Sequence, residues 1–231
     1  MRAQPFPPAL TALVLGCSFS ACLSDERPSP GNHPAIDTTY KLGQAVPDLH
    51  FADLDGTVMT LSQYAAGQPV VLMGRDALCP VSRRYGPTTA RLANEFSERG
   101  TRFLYVNVSP LDTPEAMRED KARYGLRGMY TDDSEWKIAA LFGMITTAEV
   151  FLLDADRRLR YRGAIDDQYG IRFTKPHPRN TYLRDALEQL LDGDVVKRSS
   201  TLPEGCYLAS EVRHDPDTAG NGPGPDHENG G

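Results

Sequence analysis

Apolar residues in this chain fall into continuous runs and into helical stripes, and the two patterns predict different elements. Residues 69–74, around Val70-Val71-Leu72-Met73, form a run with no polar interruption and predict a buried strand. Residues 101–108 and 149–153 also predict strands, with polar residues among the apolar ones. From Val81 to Arg99 the pattern changes: Tyr85, Leu92 and Phe96 recur on one side, which predicts a helix, and Pro87 inside it predicts a kink. Asp55-Gly56 between strand-like residues predicts a hairpin over 48–61. Thr113-Pro114-Glu115 opens a helix that runs to about Tyr124, and Ser134 is the expected cap of a short helix from Glu135 to Phe142. Asp154-Ala155-Asp156-Arg157 is a turn, after which Leu159 to Ala164 returns as a strand. Asn180 or Thr181 caps a last helix that ends near Asp192-Gly193.

Strands separated by helices need crossover connections, whereas the closing pair is antiparallel. The expected fold is therefore α/β: a three-layer α/β/α sandwich with a central mixed sheet and an N-terminal β-hairpin.

The ends of the chain follow neither pattern. Residues 9–22 are apolar or small and uncharged, with Arg2 ahead of them, and are too short to cross a bilayer as a helix. They predict a signal peptide over 1–22. This segment resembles a bacterial lipoprotein signal, in which a small residue precedes the lipidated cysteine. Ala21-Cys22 and Gly16-Cys17 both offer that step; Cys22 is the expected lipidation site, and an ordinary cleaved signal is the alternative. Pro28, Pro30, Gly31 and Pro34 make 23–39 a flexible tether. Residues 209–231 are rich in Gly, Pro, Asp and Asn, and predict a disordered tail. The folded domain is expected over 40–208, in the periplasm or cell envelope, with membrane contact only through the N-terminal lipid.

Composition narrows the partners. Of 231 residues 40% are apolar and 24% charged, as in ordinary globular proteins. The formal net charge of -6 argues against a nucleic-acid partner. No phosphate-cradling glycine loop and no zinc-ligand spacing is present, so no cofactor and no metal are expected.

Chemistry concentrates at Cys79. The buried run ends in Gly74-Arg75-Asp76-Ala77-Leu78, and Cys79-Pro80 then opens the helix. A thiol at a helix N-terminus meets unpaired N–H groups and the positive end of the dipole, and both favour the thiolate. Pro80 suits the first helical position. Arg83 and Arg84 add positive charge within the first turn, with Arg75 just upstream, so Cys79 is the candidate nucleophile.

Several segments together resemble the redoxin, AhpC/TSA-like branch of the thioredoxin-like superfamily. They are Ala45-Val46-Pro47-Asp48-Leu49 before the hairpin, Cys79-Pro80-Val81-Ser82, Thr147-Ala148-Glu149-Val150-Phe151-Leu152-Leu153-Asp154, Tyr161 to Tyr169, Tyr182 to Leu187, and Gly205-Cys206. The resemblance covers about 40–208. It implies a thioredoxin-like fold and an exported oxidoreductase with Cys79 as nucleophile. Three positions depart from the superfamily pattern. Ser82 replaces the second cysteine of Cys-x-x-Cys, Ala148 stands where thioredoxins carry a cis-proline, and Asp76 replaces the threonine three residues before a peroxidatic cysteine.

Those residues leave several chemistries open. Thiol–disulfide exchange needs a second thiol, and within the folded region Cys206 is the candidate; whether it pairs with Cys79 or merely packs is not decided by the sequence. The partners are then an external thiol reductant and a disulfide or peroxide substrate. A peroxidase with one active cysteine would use Cys79 with Arg83 polarising the peroxide and Thr147 hydrogen-bonded to sulfur. A redox-inactive or metal-binding module, the latter through Cys79, Cys206 and His177, is the remaining alternative.

Overall fold

The structure, a computed structural model, describes residues 40–208. The leader with Cys17 and Cys22, the tether and the C-terminal tail lie outside the described residues. Their expected boundaries stay expectations.

The chain enters through a hairpin of β1 (His50–Ala52) and β2 (Val58–Thr60), paired antiparallel as Phe51 opposite Met59. A one-turn helix, α1 (Leu61–Ala65), follows directly. Thr60 caps it, and Gln63 reaches back to the Thr60 N–H, a reciprocal pair that fixes so short a helix. Next come β3 (Val70–Arg75), α2 (Pro80–Glu98), β4 (Arg102–Asn107), α3 (Pro114–Tyr124), β5 (Met129–Asp132), α4 (Lys137–Phe142), β6 (Val150–Leu153), β7 (Leu159–Gly163) and α5 (Tyr182–Leu191).

The central sheet runs β5-β4-β3-β6-β7. β3, β4 and β5 are parallel, and β6 and β7 return antiparallel, so the sheet is mixed as expected. Every residue of β3 is buried, and both faces are covered. One apolar cluster joins Val71, Met73 and Tyr105 to α2, α3 and α5. The other joins Leu72, Leu104 and Phe151 to α1, α4 and the hairpin. This is the thioredoxin-like α/β/α sandwich.

Three elements differ from expectation, the first being α1, which was not expected. β5 was not expected; its four residues carry no period of their own and are fixed by parallel pairing to β4. α4 starts at Lys137, not Glu135, and Ser134 does not cap it. The Asp133 carboxylate does, accepting the Ile138 and Ala139 N–H groups at 2.9 and 2.8 Å. Beside these elements, Asp166 is buried and accepts a hydrogen bond from Tyr85 Oη at 2.8 Å. Among the described residues no helix is long and apolar enough to cross a membrane.

Candidate active site

β3 delivers the site. Its C-terminal end turns through Asp76-Ala77-Leu78 into α2, and Cys79 occupies the N-cap with extended backbone and no side-chain capping bond. Pro80 takes the first helical position, where its missing N–H costs nothing. Cys79 is buried, at 3% exposure, while neighbouring Leu78 is exposed.

Cys206 comes from the other end of the domain. After α5 the chain runs along the edge of β7. Ser199 and Thr201 exchange backbone hydrogen bonds with Arg162, and Thr201 Oγ1 accepts the Ala164 N–H. The segment then crosses to the loop before β6. Thr146 pairs antiparallel with Tyr207, Thr147 N–H donates to the Cys206 carbonyl at 2.9 Å, and Leu208 N–H donates to Ile145 at 3.0 Å. Gly205 is required at the crossing, because a Cβ there would overlap the Thr147 carbonyl oxygen.

This strap joins Cys206 to Cys79 in a disulfide, with Cα atoms 6.3 Å apart, inside the range such bonds need. Thr147 Oγ1 lies 3.0 Å from Cys79 Sγ and accepts the Cys206 N–H at 3.1 Å. A disulfide sulfur carries no hydrogen, so the Thr147 hydroxyl is the donor to it.

Charged groups behave differently from the expectation drawn for Cys79. Arg83 is exposed, and no side-chain hydrogen bond or ion pair joins it to the cysteines. Arg84 is also exposed and donates to Thr174 Oγ1 at 3.3 Å. Arg75 is fully buried and turned away: its guanidinium holds both oxygens of Asp120, at 2.7 and 2.8 Å, and donates to the Ser82 carbonyl at 2.6 Å. Tyr130 Oη donates to the same Asp120 at 3.2 Å. Burial opposes the Arg75 charge, but Asp120 and Tyr130 together outweigh it and hold the guanidinium above its ordinary value. This buried network fastens the first turn of α2 to α3 and β5. Sequence reading missed it, since its members are far apart along the chain.

Two carboxylates govern the turn before Cys79. Asp76 Oδ1 accepts the N–H groups of Leu78 and Cys79 at 2.7 and 2.9 Å, and the Asp76 N–H donates to Ser82 Oγ at 3.2 Å. Ser82, in place of a second cysteine, is therefore a buried structural hydroxyl. Asp112, ahead of α3, accepts the Ala77 N–H at 2.8 Å. Ala148 follows Thr147 with φ of 63° in the left-handed region, and no cis peptide occurs among the described residues. His177 is exposed and lines a cavity of about 680 Å³ with Arg91 and Arg184; neither Cys79 nor Cys206 lines it. Among the described residues no group of three or more His, Cys, Asp or Glu side chains is placed to hold a metal.

Residues 42–162, just over half of the chain, match the model of the AhpC/TSA family. The chain belongs to that family. It is a thioredoxin-like redoxin, and the family places it among proteins of thiol-based redox function. An uncharacterized conserved protein from Geobacillus kaustophilus is similar in structure, with 25% identity, a TM-score of 0.67, and coverage of 78% of this chain and 98% of that one. A structure assigned as the thiol:disulfide interchange protein DsbE of Chlorobium tepidum matches with a TM-score of 0.52 at 20% identity, over 67% of this redoxin and 98% of its own length. Peroxidoxin BcpB of Mycobacterium tuberculosis matches with a TM-score of 0.51 at 20% identity, over 66% of this redoxin and 97% of its own length. At such identities the last two likenesses establish the fold. No curated protein matches the sequence.

Proposed function

We propose that this redoxin is an exported thiol–disulfide oxidoreductase whose redox couple is Cys79 and Cys206. The observation that carries the reading is the Cys79–Cys206 disulfide with the Thr147 hydroxyl against Cys79 Sγ. Export rests on the leader-like sequence of residues 1–22 alone.

Cys206 is part-exposed, whereas Cys79 is buried. An external thiolate therefore attacks Cys206 Sγ. The new bond is the mixed disulfide on Cys206; the old bond breaks with its electron pair on Cys79 Sγ, where the Thr147 hydroxyl donates to the thiolate. A second external thiolate then attacks the outer sulfur of the mixed disulfide, forming the external disulfide and releasing Cys206 as thiolate. Both protein thiolates take protons from water. Two electrons enter the protein, and the reverse sequence oxidises it. In that reverse direction the Cys79 thiolate is the nucleophile that closes the disulfide, and Cys206 meets the substrate. This order exchanges the roles expected from sequence, where Cys79 acted first.

The test is equilibration of the full chain with reduced and oxidised dithiols, followed by mass analysis of the Cys79 and Cys206 peptides. A reversible two-electron couple confined to these cysteines is expected. A mixed disulfide should accumulate on Cys206 in Cys79→Ser and should be scarce on Cys79 in Cys206→Ser. Cysteines that stay reduced under all conditions would overturn the reading.

A peroxidase reading uses the same pair. Cys79 thiolate would take an oxygen atom from a peroxide, giving sulfenic acid and an alcohol or water, and the Cys206 thiol would condense with it to disulfide and water. Thr147 beside Cys79 favours it. Asp76 disfavours it, because an ionised carboxylate cannot donate to the peroxide, and its Oδ1 already accepts two backbone N–H groups. Exchange with thiols is accordingly expected to outpace oxidation by peroxide.

A further inference from the structure

The turn that carries Cys79 leans on a carboxyl whose second oxygen has no partner. Asp112 is 8% exposed, and its Oδ2 accepts the Ala77 N–H at 2.8 Å. Its Oδ1 is buried and makes no hydrogen bond. A buried carboxylate with an empty oxygen is costly, because the charge is neither solvated nor paired. A neutral carboxylic acid costs far less in the same place. It still offers an oxygen to Ala77, and it carries its proton on the other.

The charges around Asp112 point the same way. Asp76, on the turn it supports, and Asp120, on α3, are both acidic. The nearby cation is Arg75 on β3, and its guanidinium is bound at both Asp120 oxygens. Burial pushes the Asp112 carboxyl up from its ordinary value, the Ala77 N–H opposes that, and Asp76 and Asp120 add to the rise while Arg75 opposes it. Reduction of the disulfide then creates one more anion at the end of the same turn, the Cys79 thiolate two residues along the chain from Ala77.

We infer that Asp112 is a positioning residue of the redox pair: its carboxyl fixes the turn before Cys79 through the Ala77 N–H, and its ionisation opposes formation of the Cys79 thiolate. The inference rests on the Cys79–Cys206 reading for its functional meaning, although its test does not need the pair. Two groups that repel in their charged forms lose their protons in two separated steps. The thiolate of Cys79 should therefore form in a broadened titration in which part of the change belongs to Asp112.

The experiment uses the full chain with Cys17, Cys22 and Cys206 replaced by serine, so that Cys79 is the sole thiol. Thiolate absorbance and alkylation rate are followed against pH with Asp112 present and with Asp112→Asn, which keeps the acceptor for Ala77 and removes the titrating proton. The expected result is a single-step curve for the Asn variant, its midpoint lower by about one pH unit, the scale at which two interacting sites titrate as a pair. Superimposable curves would overturn the inference. Asp112→Ala, made in the chain that retains Cys206, removes the acceptor. Closure of the Cys79–Cys206 disulfide should slow at least several-fold, with Asn restoring it. Equal closure in Ala and wild type, or a fall in melting temperature without any change in midpoint, also overturns it. Failure of the redox pair itself would show as free thiols at Cys79 and Cys206 in the oxidised chain, and would leave the single-thiol titration readable.

Discussion

Thr147 and Cys206 hold each other through two hydrogen bonds: the Thr147 N–H donates to the Cys206 carbonyl at 2.9 Å, and the Cys206 N–H donates to Thr147 Oγ1 at 3.1 Å. With its acceptor side occupied, that hydroxyl points its hydrogen at Cys79 Sγ. One side chain thus places Cys206 and polarises the sulfur that leaves when the disulfide opens. The loop beneath it is fixed in turn by Glu149, buried, which accepts the Ile145 N–H at 2.8 Å and pairs with Arg162 at 3.3 Å.

Removing only the hydroxyl tests this. Thr147→Val keeps the branched shape and loses the bonds to Cys79 and Cys206. A hydrogen bond of about 1 kcal/mol corresponds to roughly fivefold in rate, and one to a thiolate to somewhat more. Reduction of the disulfide by dithiothreitol should slow by about five- to tenfold, with Thr147→Ser close to wild type. Stopped-flow thiol release measures both, and an unchanged rate in the Val variant removes Thr147 from the mechanism.

Gly205 gives a second handle on the same crossing. A methyl group there meets the backbone oxygen of Thr147, and backbone cannot swing aside as a long side chain does. Gly205→Ala should push the strap off the loop and destabilise the oxidised protein by about 1–3 kcal/mol. The penalty should shrink once the disulfide is reduced and the strap is free to relax. Denaturant melts of both redox forms give the comparison; an equal loss in each would mean that the strap stays docked without its disulfide.

The sequence carried the strand–turn–helix around Cys79 clearly, because a continuous apolar run, a Cys-Pro step and a helical stripe are local signals. It also singled out Thr147 and Cys206, which the fold brings to Cys79 from 68 and 127 residues away. Other parts were not legible for a physical reason. β5 is four residues long and gains its burial from β4. Arg75 ends the apolar run and was read as a charge near Cys79; its pairing with Asp120, 45 residues on, is what makes it a core residue. Asp112 takes its meaning from the Ala77 N–H, which no spacing rule predicts. α1 was not read either, although Thr60 and Gln63 carry the capping-box spacing.

The Arg75–Asp120 pair yields a prediction about the frame behind Cys79. Both side chains are buried, at 0% and 3% exposure, so removing one strands the other's charge. Arg75→Met should destabilise the domain by about 3–5 kcal/mol. The double variant Arg75→Met with Asp120→Leu should recover much of that, because two apolar groups leave no unpaired charge. Thermal or denaturant unfolding of the single and double variants provides the cycle. A double variant no more stable than Arg75→Met would show that the bonds to Ser82 and Tyr130, rather than charge compensation, dominate the network.

Asp133 makes stability depend on pH in a direction that can be stated in advance. Its carboxyl caps α4 yet is buried, and burial outweighs the backbone donors, pushing it up to about 6 from an ordinary value of 3.8. Between those values the folded protein holds a proton that the unfolded chain has released. Stability from this group is therefore complete below about pH 4, falls as pH rises towards 6, and is constant above. The fall amounts to at most about 3 kcal/mol, the free energy of a difference near two pH units. Other carboxyls shift the total as well: burial raises Glu149 and Asp166, and hydrogen bonds from Ser62 lower Asp48. The informative quantity is the difference between wild type and Asp133→Asn, measured by urea unfolding at successive pH values. Wild type should hold its greatest advantage near pH 4 and lose most of it by pH 7, because Asn cannot ionise. A difference that stays flat, or that grows as pH rises, would mean that the helix N–H groups win over burial and keep Asp133 ionised in the folded state.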